Sequence, residues 1–245
     1  MAGHSKWSNI KHKKAREDAK RGKVFTRLIR EITVAARIGG GDPDGNPRLR
    51  SATSAARGAN MPLDNIDRAI KKGTGELEGM SYEEVLYEGY GPSGVAILVE
   101  AVTDNKVRTV ADVRHIFNKY GGSLAEPNAV AWQFEQSGQI LVETEGTDED
   151  TVMMAALEAG ADDVVAEEDV FVVQTAMGAL FDVEKALQEA GLTVREAELT
   201  YLTKNMLDVP ADKAASVERL MEALDDCDDV QNLHTNAQFP DEDEV

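Results

Sequence analysis

The chain has 245 residues, 42% of them hydrophobic, and a formal net charge of −19. That is enough apolar material for one large domain or two to three smaller ones with real cores. The single cysteine, Cys227, excludes an intrachain disulfide and fits a reducing cytosol; no run of about 18 apolar residues offers a membrane span. The polar, basic N-terminus lacks the apolar core of a secretory signal, so a cytoplasmic protein is expected.

The net charge hides a partition. Residues 1–72 hold 17 of the 26 Lys and Arg but only 7 of the 45 Asp and Glu, a net of +10; from Gly73 onward 9 basic residues face 38 acidic ones, a net of −29. A chain divided in this way has one segment suited to a polyanion and a remainder that repels it.

The basic segment reads as helical. Phe25, Leu28, Ile29, Ile32 and Ala36 recur at three- and four-residue steps and share one face. Lys13, Arg16, Lys20, Lys23, Arg27, Arg30 and Arg37 step similarly and lie roughly opposite, and Glu17, Asp18 and Glu31 fall off that cationic face. Like charges at i,i+4 repel by a few tenths of a kcal/mol, so an unneutralised row fits an external polyanion better than self-stabilisation. Gly22 predicts a frayed start or a bend. A glycine-rich connector, residues 39–46, leads into a second helix opened by Asn46 and Pro47 as cap and first turn. It carries Leu49, Ala52, Ala56 and Ala59 inside. A third helix runs from near Pro62 to Gly73 and ends on Lys71 and Lys72.

From Tyr82 the period changes. Val95–Val99 reads as a buried strand, Val110, Val113, Ile116 and Phe117 as a helix ending at Gly121-Gly122, and Val130–Phe134 as another strand. Residues 139–216 then include strand Ile140–Val142, helix Asp148–Ala159, strands Asp163–Ala166 and Val170–Gln174, helix Gly178–Ala190 and strand Thr193–Tyr201. This is the β-α-β-β-α-β order of a ferredoxin-like unit. Met206–Val209, helix Ala211–Leu224 and strand Asp229–Thr235 follow. The simplest account joins that tail to the Tyr82–Phe134 segment, with the ferredoxin-like unit inserted. The expectation is an α+β chain. A three-helix domain, 1–78, precedes an α/β domain made of 79–136 plus 204–245, and a second α/β domain, 137–203, is inserted into the first.

Several patterns that resemble reactive sites read as structure instead. Gly89-Tyr90-Gly91-Pro92-Ser93-Gly94 matches G-x-G-x-x-G, but a strand follows it and Pro92 opposes a helix start, so it reads as a tight turn. Asp42, Asp44 and Asn46 imitate part of a calcium loop, with Pro47 where Gly is needed and Thr53 where Glu is needed. Cys227 sits among Asp225, Asp226, Asp228 and Asp229, which should raise its pKa. No metal, cofactor, small-molecule substrate or catalytic constellation is expected. The candidate nucleic-acid contacts are Lys6, Lys11, Lys13, Lys14, Arg16, Lys20, Arg21, Lys23, Arg27, Arg30, Arg37, Arg48, Arg50 and Arg57. Lys106, Arg108 and Arg114 form a candidate second contact beside Thr103-Asp104-Asn105, where Asp104 or Asn105 also reads as a helix cap.

Motifs along the chain resemble the YebC family, which includes the mitochondrial translational activator of cytochrome oxidase. They are Gly3-His4-Ser5-Lys6-Trp7, Lys20-Arg21-Gly22-Lys23, Asn46-Pro47-Arg48-Leu49-Arg50, Asn60-Met61-Pro62, Tyr87-Glu88-Gly89-Tyr90-Gly91-Pro92 and Thr103-Asp104-Asn105. The resemblance implies three domains in the order given above and a cytoplasmic, non-enzymatic regulator of gene expression. It points to DNA-binding transcription regulation, with translation on the ribosome, through rRNA, as the alternative. Asn128-Ala129 departs from the family, whose members tend to carry Gly-Ser there.

Overall fold

A computed structural model describes residues 21–79, 81–167, 169–203 and 205–240. Three helices come first: α1 (Arg21–Gly39), α2 (Pro47–Gly58) and α3 (Leu63–Gly73). Gly22, where the sequence predicts a frayed start or bend, is the second residue of α1, and the residues before Arg21 lie outside the described ones. Ile32, Ala35, Ala36, Leu49, Ala52, Ala56, Met61, Ile66 and Ala69 make their common core, with Phe25, Leu28, Ile29 and Ile70 partly buried against it. Asn46 explains the entry to α2. Its Oδ1 accepts from the Leu49 amide at 3.1 Å, and its Nδ2 donates to the carbonyls of Ala35 and Gly40, each at 2.8 Å. One buried amide side chain thus caps α2 and ties it to the end of α1. At Gly73 a Cβ would lie 2.4 Å from the Thr33 carbonyl oxygen, so α3 approaches α1 as closely as only glycine permits.

The first sheet has the order β3-β1-β2-β9, built from β1 (Glu83–Tyr90), β2 (Ala96–Thr103), β3 (Ser123–Leu124) and β9 (Val230–Thr235). Helices α4 (Lys106–Lys119) and α7 (Ala211–Asp225) cover one of its faces. Val95, Ile97, Val99, Val113, Phe117, Val217, Leu220, Met221, Leu224 and Val230 form the core between them. Because β9 pairs antiparallel with β2, the C-terminal tail completes a sheet begun well over a hundred residues earlier. A two-stranded parallel pair, β8 (Leu207–Asp208) with β10 (Ala237–Gln238), lies in the same tail. The expected turn between β1 and β2 is there. Gly89 and Tyr90 are the last residues of β1, and the turn itself runs over Gly91 to Gly94, with Ser93 at φ 63° and Gly94 at φ 82°.

The second sheet has the order β5-β6-β4-β7, from β4 (Phe134–Glu143), β5 (Asp163–Ala166), β6 (Val170–Thr175) and β7 (Val194–Thr203), with α5 (Glu149–Glu158) and α6 (Leu180–Glu189) against it. The order βαββαβ with this strand arrangement is the ferredoxin-like pattern. The chain divides into two compact units, residues 1–134 with 203–245 and residues 135–202.

The strands Glu83–Tyr90 and Ser123–Leu124 are not among those the sequence reading names, and one segment that it names departs from it. Val130–Phe134 is not a strand: Ala131–Gln133 is a 3-10 turn and β4 starts at Phe134. The cause is Glu88, only 6% exposed. Its carboxylate accepts the amides of Asn128 at 2.6 Å, Val130 at 2.7 Å and Ala131 at 2.8 Å, so they cannot enter a ladder. Asn128 has φ 68°, the left-handed region where glycine is at ease and asparagine is tolerated. Glycine and asparagine satisfy the same backbone requirement there.

Candidate nucleic-acid interface

Lys23, Arg27 and Arg30 occupy successive turns of α1, as the spacing predicted, but they do not form an unneutralised row. The corner between α7 and β9, Asp225 to Asp229, lies along them. Lys23 Nζ donates to the Asp225 carbonyl at 2.7 Å and lies 3.2 Å from Asp226 Oδ1. The Arg27 guanidinium donates through both Nη atoms to Asp225 Oδ1 at 3.2 Å, and through Nη2 to the Asp225 carbonyl. Arg30 Nη1 donates to the Asp228 carbonyl, Arg30 Nη2 lies 3.1 Å from Asp229 Oδ1, and the guanidinium stands 5.6 Å from the centre of the Tyr82 ring. Two causes converge here. The corner supplies four carboxylates, and the α7 C-terminus presents a carbonyl with no partner inside its own helix, at the negative end of the helix dipole. Among the described residues, Arg27 Nε and Arg30 Nε are buried with no acceptor, so the corner leaves part of each guanidinium unsatisfied.

The other candidates are dispersed. Lys6, Lys11, Lys13, Lys14, Arg16, Lys20 and the side chain of Arg21 lie outside the described residues. Arg37 donates to Ser81 Oγ at 3.3 Å and is exposed. Arg48 holds Glu31 with a fork, Nε to Oε1 at 2.6 Å and Nη2 to Oε2 at 2.9 Å, and also touches Glu84. Burial opposes the charge on Arg48, but those two carboxylates outweigh it and raise its pKa above the ordinary arginine value. Arg50 donates to the carbonyls of Pro43 and Asp44. Arg57 is exposed, and among the described residues it makes no ion pair, as is true of Arg68, Lys71 and Lys72 on α3.

The second candidate contact does not form a joint patch. Lys106 pairs with Glu83, whose pKa it lowers. Arg108 binds Asp104 at 2.9 Å and Asp229 at 2.7 Å, and hydrogen bonding to Asp229, then Asp104, raises its pKa. Arg114 alone is exposed without an ion pair among the described residues. Asn105 is the cap of α4, accepting from the Arg108 amide at 3.1 Å. Asp229 gathers this region: its Oδ2 accepts from Thr109 at 2.7 Å, Thr103 at 3.2 Å and Arg108, while Oδ1 faces Arg30. The pKa of Cys227 is raised, by burial first and by the surrounding aspartates second, so the acids are the lesser cause. The sequence flagged those aspartates only as neighbours of Cys227. Four acids within five residues were the available signal, but the partner helix lies some 200 residues away. Among the described residues, no three His, Cys, Asp or Glu side chains are placed to hold a metal ion, and no helix is long and apolar enough to cross a membrane.

A cation-bearing three-helix module ahead of two helix-covered sheets defines a multi-domain α+β protein. The comparisons narrow the class. Residues 5–76 match the family model described as the TACO1/YebC protein N-terminal domain, and residues 82–237 match the TACO1/YebC second and third domain. The chain belongs to the YebC family. It is 57% identical over 242 residues to a "Probable transcriptional regulatory protein" of Desulfatibacillum aliphaticivorans, covering 99% of this chain and 98% of that one. It is 54% identical over 236 residues to one of Geobacter sulfurreducens, covering 96% and 95%. The crystal structure of a conserved hypothetical protein from Aquifex aeolicus superposes with a TM-score of 0.87 at 45% identity, covering 92% of this chain and 93% of that one.

Proposed function

We propose that this protein is a non-enzymatic regulator of gene expression that binds nucleic acid through its basic N-terminal module, in the manner of a DNA-binding transcriptional regulator. The observation that carries the reading is the cation row of α1. Lys23, Arg27 and Arg30 hold carboxylate oxygens at three successive turns, and the same cations can take phosphate oxygens instead. The net of +10 on residues 1–72 supplies the long-range attraction, and the net of −29 on the rest keeps other surfaces away from the polyanion. Relatives named as probable transcriptional regulatory proteins support the regulatory part. Phosphate contacts dominate this reading, so sequence preference is weak.

The alternative is a translation factor that grips rRNA on the ribosome. The cationic face of α1 is turned to the Asp225–Asp229 corner, so α1 cannot enter a major groove as a recognition helix while that corner stays in place. Phosphate contact needs no groove entry on either DNA or folded RNA, and the corner stands before both alike. Co-sedimentation with ribosomes and retention of duplex DNA, both at physiological salt, separate the two. Retention of DNA without co-sedimentation supports the first reading, the reverse supports the second, and failure of both removes the proposal.

A further inference from the structure

We propose that the Asp225–Asp229 corner is a built-in competitor that occupies the nucleic-acid face of α1 and must be displaced for nucleic acid to bind there. The inference rests on the nucleic-acid reading above and adds how that face is regulated. Three observations carry it. First, the corner holds three of the four described cations of the row at once, Lys23, Arg27 and Arg30, with carboxylates and with main-chain carbonyls, while Arg37 donates to Ser81 instead. Second, the fit is incomplete: Arg27 Nε and Arg30 Nε are buried without an acceptor among the described residues, which gives an incoming phosphate with more oxygens something to gain. Third, the contact borders an open cleft lined by Gly22, Lys23, Thr26, Arg30, Asp226 and Asp228. A phosphate can enter beside the corner there before the ion pairs part.

The pairs differ in how easily they yield. The Asp226 side chain is 66% exposed and that of Asp225 32%, whereas that of Asp229 is 5% exposed and is also held by Thr103, Thr109 and Arg108. Opening therefore starts at Lys23–Asp226 and Arg27–Asp225 and ends at Arg30. A binding face that is covered most of the time weakens apparent affinity by the fraction of time it is open. Weakening the corner should recover that loss without adding any contact.

The test uses the full chain with D225N/D226N/D228N, leaving Asp229 in place. The control, E145Q/E158Q/D162N, removes the same amount of negative charge from exposed positions elsewhere. Thermal unfolding first establishes that each variant is folded. Binding is then measured to a 30-base-pair duplex DNA and to an RNA hairpin of equal length, which share the phosphate backbone and distinguish its two sources. The corner variant should bind whichever probe the wild type binds on the order of tenfold more tightly, and the control should bind nearly as the wild type does. Amide hydrogen exchange supplies a second readout: on adding the probe to wild-type protein, the amides of Asp226, Cys227 and Val230 should lose protection. Equal affinity of the corner variant and the wild type, an equal gain in the control, or unchanged protection in the bound wild type would each overturn the competitor while leaving nucleic-acid binding intact. Absence of binding to both probes by every form would overturn the nucleic-acid reading and this inference together.

Discussion

Arg30 Nη2 lies 3.1 Å from Asp229 Oδ1, with the two side chains only 12% and 5% exposed. The pair joins the first described helix to the start of β9, and the other oxygen of the same carboxylate takes Thr103, Thr109 and Arg108. Removing the carboxylate takes the charged partner from the mostly buried Arg30 guanidinium, which keeps only the Asp228 carbonyl, and takes an acceptor from the hydroxyls of Thr103 and Thr109, of which Thr109 keeps the Asn105 carbonyl. Asp229→Ala should therefore cost about 3–5 kcal/mol, the range for breaking a buried charge pair from one side. Chemical denaturation measures it. A loss under about 1 kcal/mol, the scale of a surface pair, would show that the hub contributes little.

The same carboxylate sets a pH dependence. Burial pushes the Asp229 pKa up, but hydrogen bonds from Arg108 and Thr109 and the charges of Arg30 and Arg108 outweigh it, and the net shift is downward. A carboxyl group with a depressed folded-state pKa contributes stability that is fully present above its unfolded pKa, about 3.9. That stability is lost as pH falls from there through the folded value. Wild-type stability should thus decline below about pH 4 more steeply than that of Asp229→Asn. Parallel acid-unfolding curves would contradict this.

Arg27→Glu with Arg30→Glu places two new carboxylates against Asp225, Asp228 and Asp229. Because the corner already occupies these arginines, the double reversal should lower stability by roughly 2–4 kcal/mol as well as weaken nucleic-acid binding, the cost being that of like charges in a partly buried pair. Arg57→Glu, at an exposed position with no ion pair among the described residues, should leave stability within about 0.5 kcal/mol of wild type. Comparison of their melting temperatures decides the matter; similar values for both would mean that the α1 pairs are solvated after all.

Periodicity made the helices and the ferredoxin-like unit legible, because a 3.6-residue or two-residue repeat survives wherever one face is buried. Strand Asp163–Ala166 was read to the residue, and the helix read at Asp148–Ala159 differs from Glu149–Glu158 only by its cap residues. The turn at Gly91–Gly94 was legible from its proline and glycines. Three features were not. The segment at Val130 is apolar enough for a strand, but a single buried carboxylate, Glu88, takes its amides, and nothing local announces that. The row on α1 looked neutral-partner-free because only near-sequence acids were weighed, whereas its partners sit at Asp225–Asp229. Lys106 and Arg108 looked available because clustering in sequence does not report that Glu83 and Asp229 already hold them.

Salt should report the proposed mode of binding. If residues 1–37 track a phosphate backbone with about seven cations, log Kd against log salt should have a slope of several units. Truncation of residues 1–20 removes Lys13, Arg16 and Lys20 from that row, together with Lys6, Lys11 and Lys14 beside it, and should reduce the slope by several units. A slope that stays flat between low and physiological ionic strength would exclude phosphate tracking.

Glu88 offers the sharpest local test. Its two oxygens divide three amides, Oε1 taking Asn128 and Oε2 taking Val130 and Ala131. Tyr90 Oη donates to the Ala129 carbonyl at 3.0 Å, and Trp132 Nε1 donates to the same oxygen at 3.1 Å. The segment is therefore pinned from beneath while Trp132 stands 71% exposed above it. In Glu88→Gln one oxygen becomes an NH2 group, which donates and cannot accept. Either the Asn128 amide or the Val130 and Ala131 pair then faces a donor, and the charge that strengthened all three bonds is gone. The expected cost is about 1–3 kcal/mol, that of leaving buried amides unsatisfied. The change should also free Trp132, seen in a Trp7→Phe background as lower fluorescence anisotropy at a temperature where the protein remains folded. An unchanged anisotropy with the full loss of stability would mean that Trp132 is fixed by Ala129 alone, and unchanged stability would mean that water replaces the carboxylate at no cost.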